Sequence, residues 1–226
     1  MSLVLTIDTS LDTASVCIAH NGLLLCSKTN TQQKDHASFL EPAIKELLQQ
    51  AGLVIQQLKA VAVVAGPGSY TGLRVGMSSA KALCFTLNIP LLLLNTLELM
   101  TRAVVEQLGA SAAGHLFCPM IDARRMEVFT ALYDENFVEK LRPTACILES
   151  NSFANELQHN PIYFFGNGAK KWESLCSDKN ARFILLPDIK KIICASSAEK
   201  LASGSFADIA YADALYIKDF YTTIQG

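Results

Sequence analysis

The stretch "AGPGSYTGLRVGMSSAKAL" (residues 65–83) decides the fold, because it joins a glycine-rich loop to the start of a helix. Before it, residues 58–65 are almost continuously apolar, which predicts a buried strand. After it, apolar residues recur at helical spacing over residues 73–88. A strand, a glycine turn and a helix in this order put the positive helix end at the loop, where it can hold an anion. The alternative is that Gly66, Pro67 and Gly68 only turn the chain.

The spacing in this loop excludes two common phosphate motifs. A Walker A loop needs a lysine after its second glycine, whereas Leu73 follows Gly72, and the distance from Gly66 is one residue too long. The dinucleotide-binding pattern fails as well, since Thr71 stands in the place of the third glycine. The loop is therefore neither a P-loop nor a Rossmann turn.

The segments around the loop predict one mixed sheet with helices on its faces. Upstream are three predicted strands, the last two joined by an Asn21-Gly22 hairpin turn, and a helix over residues 35–52 with Asp35 as N-cap. Downstream are a strand over residues 89–94 and a helix over residues 96–109. A strand meander continued by right-handed helical crossovers is the half-domain plan of the actin and sugar-kinase ATPases.

The second half of the chain repeats this plan loosely. Two strands are predicted to pair around residues 123–125, and shorter helix and strand signals follow, ending with a helix over residues 196–202. The sequence therefore predicts an α/β protein of two lobes, an N-terminal lobe over residues 1–108 and a C-terminal lobe over residues 109–226. The last segment is expected to pack back on the first lobe.

Composition limits the class of function. Of the 226 residues 50% are hydrophobic and 18% charged, so part of the apolar excess is expected against a partner. The net charge is −2 and there is no run of Lys or Arg, which argues against direct gripping of a nucleic acid. The seven cysteines are scattered, the N-terminus has no basic leader, and the longest apolar run, residues 89–94, is too short to span a bilayer. We expect a soluble cytoplasmic protein with no membrane contact.

Several motifs in chain order resemble the TsaB (YeaZ) family. They are "LTIDTSLDTASVCI", "DHASFLEPAIKELL", "GPGSYTGLRVGMSSAKAL", "IDARRMEVFTALY", "FFGNGA" and "ADALYIKD", and they span nearly the whole chain. The glycine motif and the Asp-Ala-Arg hairpin are highly specific as a pair. This sequence departs from the family at Met126, where a small residue is usual, and in "ALYIK", which lacks the usual proline and arginine.

The resemblance implies the actin-like ATPase (ASKHA) fold and a role in forming threonylcarbamoyladenosine beside the anticodon of tRNA. It implies a non-catalytic scaffold for the larger paralogue TsaD, which holds the metal and transfers the threonylcarbamoyl group from an adenylate made by TsaC. The ATPase TsaE joins through the complex, tRNA is met only indirectly, and the chain forms a homodimer when alone.

The residues fit a non-catalytic role. The histidines, His20, His36, His115 and His159, contain no H-x-x-x-H pair, and no G-x-S-x-G or H-E-x-x-H motif occurs, so we expect no metal and no catalytic residue. In actin-like ATPases an aspartate at the end of the first strand holds Mg²⁺ through water. We predict a vestigial nucleotide cleft that needs no cofactor and binds nucleotide weakly, formed by Asp8, Thr9, Ser10, Gly66, Gly68, Ser69 and Thr71.

Groups from the second half have two interpretations each. Asp122, Arg124 and Arg125 cluster in the predicted hairpin, where they could belong to the cleft or form an ion-paired tip. The "GNGA" turn at residues 166–169 could hold an adenosine or simply start a helix.

The predicted partner interface lies on the two helices that flank the central strand. Small residues at four-residue steps on the second helix allow another helix to approach closely. The expected interface comprises His36, Leu40, Ile44, Gly72, Leu73, Gly76, Met77, Ala80 and Cys84. These residues could instead pack on the sheet, and the opposite flank of the second helix is also fairly apolar, through Val75, Ser79, Ala82, Phe85 and Thr86.

Two alternative functions come from other classes. A small ATP-dependent kinase of the actin-like superfamily would need Asp8, the glycine loop and an acid from the second half to meet at Mg-ATP. A self-associating chaperone-like protein would keep its homodimer when TsaD is added.

Overall fold

The chain forms two five-stranded mixed sheets flanked by helices, as a computed structural model covering residues 2–32 and 35–217 shows. The elements of the first half are β1 (Leu3–Asp8), β2 (Ala14–His20), β3 (Leu23–Asn30), α1 (His36–Gln50), β4 (Ala60–Gly66), α2 (Tyr70–Leu87), β5 (Leu91–Asn95) and α3 (Thr96–Leu108). Those of the second half are β6 (Leu116–Asp122), β7 (Glu127–Asp134), β8 (Glu139–Ile147), α4 (Ala154–His159), β9 (Ile162–Phe165), α5 (Ala169–Glu173), β10 (Ala181–Phe183) and α6 (Lys190–Ala202).

The two sheets have the same topology. The first has the order β3-β2-β1-β4-β5, and the second, read from its β8 edge, has the order β8-β7-β6-β9-β10. In each, three strands form an antiparallel meander and two more join in parallel on the other side of the central strand. This repetition confirms the predicted actin-like fold class and places the strand ends of the two lobes opposite one another.

Alternation along the strands decides which helices cover each face of the first sheet. Side chains such as Leu5, Ile7 and Val63 point to the face covered by α1 and α2. Their neighbours Val4 and Val64 point to the other face, where α3 and α6 pack. Successive strand residues point to opposite sides, so a sheet buried on both faces reads as a continuous apolar run.

Helix α3 joins the two lobes into one packed body. Its residues Leu97, Met100 and Val104 pack against Phe117 and Phe165 of the second sheet. On its other side Leu99 and Ala103 belong to the core of the first sheet. Apolar residues around most of a helix indicate burial between two layers, which is the arrangement found here.

Two helix starts and one strand differ from the sequence prediction. Helix α2 begins at Tyr70 and not at residue 73, because Ser69 is its N-cap and accepts a hydrogen bond from the Gly72 N–H. Helix α6 begins six residues before the predicted residue 196. Strand β8 was not predicted, since its exposed, charged residues and Pro143 are typical of an edge strand and give little apolar alternation.

The end of the described chain returns to the first lobe. Helix α6 contributes Ile192, Ile193 and Cys194 to the core of the first sheet. Residues 205–217 then run along the first lobe, where the Ala207 N–H donates to Leu91 O and the Leu215 N–H to Ala65 O. Of the predicted "ADALYIKD" segment, Lys218 and Asp219 lie outside the described residues. The division of the chain between residues 108 and 109 stays a prediction.

Asp35 occupies the N-cap position of α1, as predicted, but its side chain makes no capping hydrogen bond there. The Asn21-Gly22 turn is confirmed, with both residues at positive φ, 51° and 80°. Within the described part of the chain, no helix combines the length and apolar character that crossing a bilayer requires.

Candidate functional site

A cleft opens between the two lobes, and one hydrogen bond divides it into two cavities. The Asn167 side-chain amide donates to the Asp12 carboxylate across 3.1 Å, from the second lobe to the first. On one side lies a cavity of about 690 Å³ and on the other a cavity of about 920 Å³. Leu11, Asp12 and Asn167 line both. We call them the α6-side cavity and the α2-side cavity.

The end of the first strand lies at this division. Asp8 is buried and accepts hydrogen bonds from the Ser10 N–H (2.9 Å) and the Ser10 hydroxyl (2.7 Å). Burial raises the pKa of Asp8, and the bonds from Ser10 and the nearby His36 and Lys190 only partly oppose this effect. Both hydrogen bonds from Ser10 reach Oδ1 of Asp8, and Asp8 also lines the α6-side cavity.

The glycine loop packs directly on the turn at Thr9 and Ser10, which follows β1. The Ser69 N–H donates to Ser10 O (2.7 Å), and the Thr9 hydroxyl donates to Gly72 O (2.7 Å). A Cβ added at Gly68 would overlap the carbonyl oxygen of Ser10, and one added at Gly72 would overlap that of Thr9. The glycines are therefore needed for the close approach of α2 to the first turn.

The seven predicted cleft residues do not converge on one point. Asp8 lines the α6-side cavity, while Ser10, Gly68, Ser69 and Thr71 line the α2-side cavity. Thr9 is fully buried between β1 and α2, and Gly66 packs against Leu73 and Leu215. That all seven bind one nucleotide stays a prediction, and the geometry splits them between two cavities and the core.

The second lobe contributes a polar wall to the α2-side cavity. Asp122 accepts hydrogen bonds from Lys171 (2.6 Å) and the Arg124 N–H (2.6 Å), and its own N–H donates to Asn167. Burial alone would raise the pKa of Asp122, but the bonds from Lys171 and Arg124 and the charge of Lys171 hold it below its ordinary value. The ion pair at the hairpin therefore joins Asp122 to Lys171, a residue that the sequence did not single out.

The α6-side cavity has an apolar wall. Phe164, Phe183 and the segment of residues 184–189 face the polar groups of the first turn across it. Gly166, Asn167 and Ala169 of the "GNGA" turn line the same cavity, and Gly168 is the N-cap of α5. Both interpretations of this turn are thus compatible with its position.

The nine predicted interface residues are the clearest correction. All of them are buried inside the chain, including Leu40, Ala80 and Cys84, which have no exposed surface. His36 is buried as well, with Nε2 at 3.4 Å from Leu11 O, so it is not a surface residue. The small residues at four-residue steps on α2 face the first sheet and the turn at Thr9, because α2 must approach both closely. They are Gly72, Gly76, Ala80 and Cys84. His36, Leu40, Ile44, Gly72, Leu73, Gly76, Met77, Ala80 and Cys84 form core contacts and not an outer surface.

The opposite flank of α2 is the outer one. Ala82, Phe85 and Thr86 are exposed, with 80% of Phe85 accessible, and Val75 and Ser79 are partly exposed. Among the residues described, no three His, Cys, Asp or Glu side chains lie close enough together to hold a metal ion.

Replacing Asp8 by Asn is expected to raise the melting temperature by a few degrees at pH 7. Because the pKa of Asp8 is raised in the fold, its favourable contribution is full below the unfolded pKa and is lost as the pH rises through the folded value. Asn keeps the acceptor for Ser10 without the buried charge. Thermal melts between pH 4 and 7 should show an advantage that grows with pH, whereas exposed Asp35→Asn should show none. A less stable Asp8→Asn protein at pH 7 would mean that the ionised carboxylate is stabilising.

Comparison with known proteins gives consistent matches over most of the chain. The model of the family described as TsaD: tRNA N6-adenosine threonylcarbamoyltransferase matches residues 24–212. The tRNA threonylcarbamoyladenosine biosynthesis protein TsaB of Escherichia coli (strain K12) is 26% identical over 232 residues, covering 96% of this chain and 94% of the relative. The TsaB protein of Bacillus subtilis (strain 168) is 28% identical over 178 residues, covering 77% of this chain and 75% of the relative.

Solved structures agree with the fold. A Pseudomonas aeruginosa protein described as similar to the peptidase YeaZ superposes with a TM-score of 0.78 at 25% identity, covering 96% of this chain and 100% of that one. A polyphosphate/ATP-glucomannokinase from Arthrobacter sp. strain KM superposes with a TM-score of 0.51 at 13% identity, covering 90% of this chain and 100% of that one. At that identity the kinase shows a shared fold and nothing about activity.

Proposed function

Since this chain belongs to the TsaB (YeaZ) family, it acts in the biosynthesis of threonylcarbamoyladenosine in tRNA, and we propose that its part there is that of a non-catalytic partner of a TsaD-type paralogue. One observation carries the proposal: α2 presents apolar residues, Ala82 and Phe85 among them, on the side that its own sheet does not cover. The inner side is buried in the first core, while Phe85 stands 80% exposed on the other. A helix with two apolar sides is expected to be buried on both.

The outer side of α2 suits close contact with another helix. Between its larger residues Val75 and Phe85 it carries Ser78, Ser79 and Ala82, which are exposed or partly exposed and small. Short side chains let two helix backbones approach, and an aromatic residue at the end supplies an anchor of large contact area. We call Val75, Ser79, Ala82, Phe85 and Thr86 the outer α2 face.

The neighbouring helix supplies a polar margin. Helix α1 contacts α2, and its outward residues Glu41, Lys45, Glu46 and Gln49 are exposed and hydrophilic. An apolar centre with a polar rim is the usual composition of a protein interface. In the proposed complex the outer α2 face forms the centre and α1 the rim.

The turn that follows β1 supports a scaffold role over a catalytic one. Asp8 is buried, its pKa is raised, and its carboxylate is bound by Ser10. The glycine loop is likewise bound to Thr9 and Ser10. The hydrogen bonds of Asp8 fix the turn after β1, and those of the glycine loop hold this turn to α2. We therefore assign both a structural role and propose that the chain needs no cofactor and binds nucleotide weakly.

Further parts of the proposal concern assembly. The outer α2 face pairs with a second copy when the paralogue is absent, a TsaE-type ATPase joins only through the complex, and tRNA is bound by the complex and not by this chain alone. The net charge of −2 agrees with an indirect contact to tRNA.

Mixing the chain with the TsaD paralogue of the same source should yield a heterodimer, and Ala82→Arg should weaken it at least about tenfold, because an unpaired charge would be buried at the helix contact. The measurement is titration calorimetry, with light scattering for the homodimer and a thermal melt of each variant. The matched control is Ala202→Arg at the exposed end of α6, which should bind like the wild type.

Two results would contradict this proposal. One is full binding by a stably folded Ala82→Arg protein, which would remove the outer α2 face from the interface. The other is phosphotransfer by the isolated chain, which would favour the kinase alternative. A homodimer that persists in excess TsaD would instead favour the chaperone-like alternative.

A further inference from the structure

The α2-side cavity concentrates positive charge that the scaffold role does not use. It measures about 920 Å³ and is lined by Arg124 and Arg125 of the β6–β7 turn and by Lys171 of α5. Phe129 and Ile121 form its apolar floor. A concave site of this size, with a few convergent polar groups, is typical of small-molecule binding.

The carboxylates in the cavity do not neutralise the two arginines. Asp122 is engaged by Lys171 and by the backbone N–H of Arg124, and Asp12 accepts from Asn167. Among residues 2–32 and 35–217, neither Arg124 nor Arg125 forms a side-chain ion pair. The sequence left open an ion pair within the tip of the β6–β7 hairpin. In the structure Asp122 instead pairs with Lys171 of α5.

The wall opposite the arginines also favours an anion. The cavity is lined there by Ser69, Tyr70 and Thr71, which open the 18-residue helix α2. This helix end carries partial positive charge, and the hydroxyl groups of Ser69 and Thr71 can donate hydrogen bonds. Tyr70 presents a ring that already stacks beneath Arg74, whose guanidinium carbon lies 4.1 Å from the ring centre.

The backbone of the arginine turn is costly for these residues. Arg124 and Arg125 have φ values of 71° and 47°, a region that favours Gly and Asn. The turn is fixed by hydrogen bonds from the Ala123 N–H to Glu127 O and from the Glu127 N–H to Arg124 O. Two arginines in such a turn are explained if their side chains serve a purpose that Asn-Gly could not.

We propose that the α2-side cavity binds a small phosphate-bearing anion between the guanidinium groups of Arg124 and Arg125 and the first turn of α2. Guanidinium groups bind phosphate oxygens through paired hydrogen bonds, and the partial positive charge of an adjacent helix N-terminus attracts the same anion. The site suits a compact ligand and not an RNA backbone, because Arg124 and Arg125 are solvent-exposed but line a cavity between the lobes, and the chain has a net charge of −2. Of the residues that the sequence suggested for nucleotide, Asp8 and Gly66 do not line this cavity, whereas Ser10, Gly68, Ser69 and Thr71 do.

Titration calorimetry of the isolated full-length chain with inorganic pyrophosphate, without divalent cations, tests the site. We expect a Kd below about 1 mM, and the double variant Arg124→Gln, Arg125→Gln should raise it at least about tenfold, since paired charge-assisted hydrogen bonds are lost. The matched control is Arg142→Gln, Arg182→Gln, which removes the same charge from exposed positions outside the cavity. This control should bind as the wild type does.

Three outcomes would overturn the proposal. They are no pyrophosphate binding at about 5 mM, far above the expected Kd, equal weakening by the control pair, and binding of a tRNA anticodon stem-loop with none of pyrophosphate. ATP that binds in competition with pyrophosphate and more tightly would show that the site also contacts a base, and it would support the proposal. Because the isolated chain is used, failure here leaves the TsaD proposal standing, and the reverse holds as well.

Discussion

Replacing Ala80 by Arg is expected to unfold the chain, not merely to detach a partner. Ala80 has no exposed surface and packs in the core between α2 and the first sheet. An arginine there would bury an unpaired charge, at a cost of about 3–5 kcal/mol, and would also overpack the core. Since the whole free energy of unfolding of such a protein is about 5–15 kcal/mol, little stability would remain.

A thermal melt followed by circular dichroism measures this effect, and Ala82→Arg on the same helix is the matched control. Ala82 is exposed, so the free energy of unfolding should change by only about 0.5 kcal/mol. In the interface predicted from the sequence, by contrast, Ala80 would face another helix, and Arg there would spare the fold. An Ala80→Arg protein that melts like the wild type would restore that interpretation and contradict the burial described here.

Replacing Gly72 by Ala is expected to destabilise the chain by about 2–3 kcal/mol, although Ala is favoured over Gly inside a helix by about 1 kcal/mol. The added Cβ would overlap the carbonyl oxygen of Thr9 and would also meet the side chain of Ser69. Backbone atoms of the turn after β1 cannot move aside as a flexible side chain can, so α2 must shift away from this turn. That shift would also weaken the hydrogen bond from the Thr9 hydroxyl to Gly72 O.

Urea unfolding gives the free energy for this comparison, with Gly52→Ala as control. Gly52 has φ +64° but no atom within 4 Å of an added Cβ, so only the left-handed backbone cost of about 1–2 kcal/mol applies. If Gly72→Ala stabilised the chain, the higher helix propensity of Ala would outweigh any overlap with Thr9 O. The close approach of α2 to Thr9 described here would then be wrong. A loss at Gly72 together with unchanged pyrophosphate binding would separate this glycine from the anion site.

The glycine loop thus has two roles that its spacing alone could not distinguish. Gly68 and Gly72 allow close packing on the Ser10 and Thr9 carbonyl groups, and Ser69 and Thr71 face the α2-side cavity. In the sequence all four belong to one glycine-rich motif. The two glycines abut backbone carbonyl groups while the two hydroxyl side chains line a cavity, because α2 already begins at Tyr70.

Much of the fold could be predicted from local patterns. The first three strands, the Asn21-Gly22 turn and the cores of α1 to α3 are encoded by alternation, turn residues and helical spacing, which act over a few residues. The TsaB motifs are also contiguous in the sequence, so the family could be recognised before any contact was known. Elements with weak local patterns were missed, since β8 is an exposed edge strand and the first residues of α6 include adjacent lysines.

The sequence by itself determined the order of most elements, the repeated α/β plan and the family of this protein. Only the tertiary structure decided which side of α2 meets the sheet, because both sides carry apolar residues and helical spacing alone does not rank them. It also decided that Lys171 takes the carboxylate of Asp122, which leaves Arg124 and Arg125 to face the start of α2. The contact between Asp122 and Lys171 joins residues separated by about fifty positions, and local propensity has no term for it.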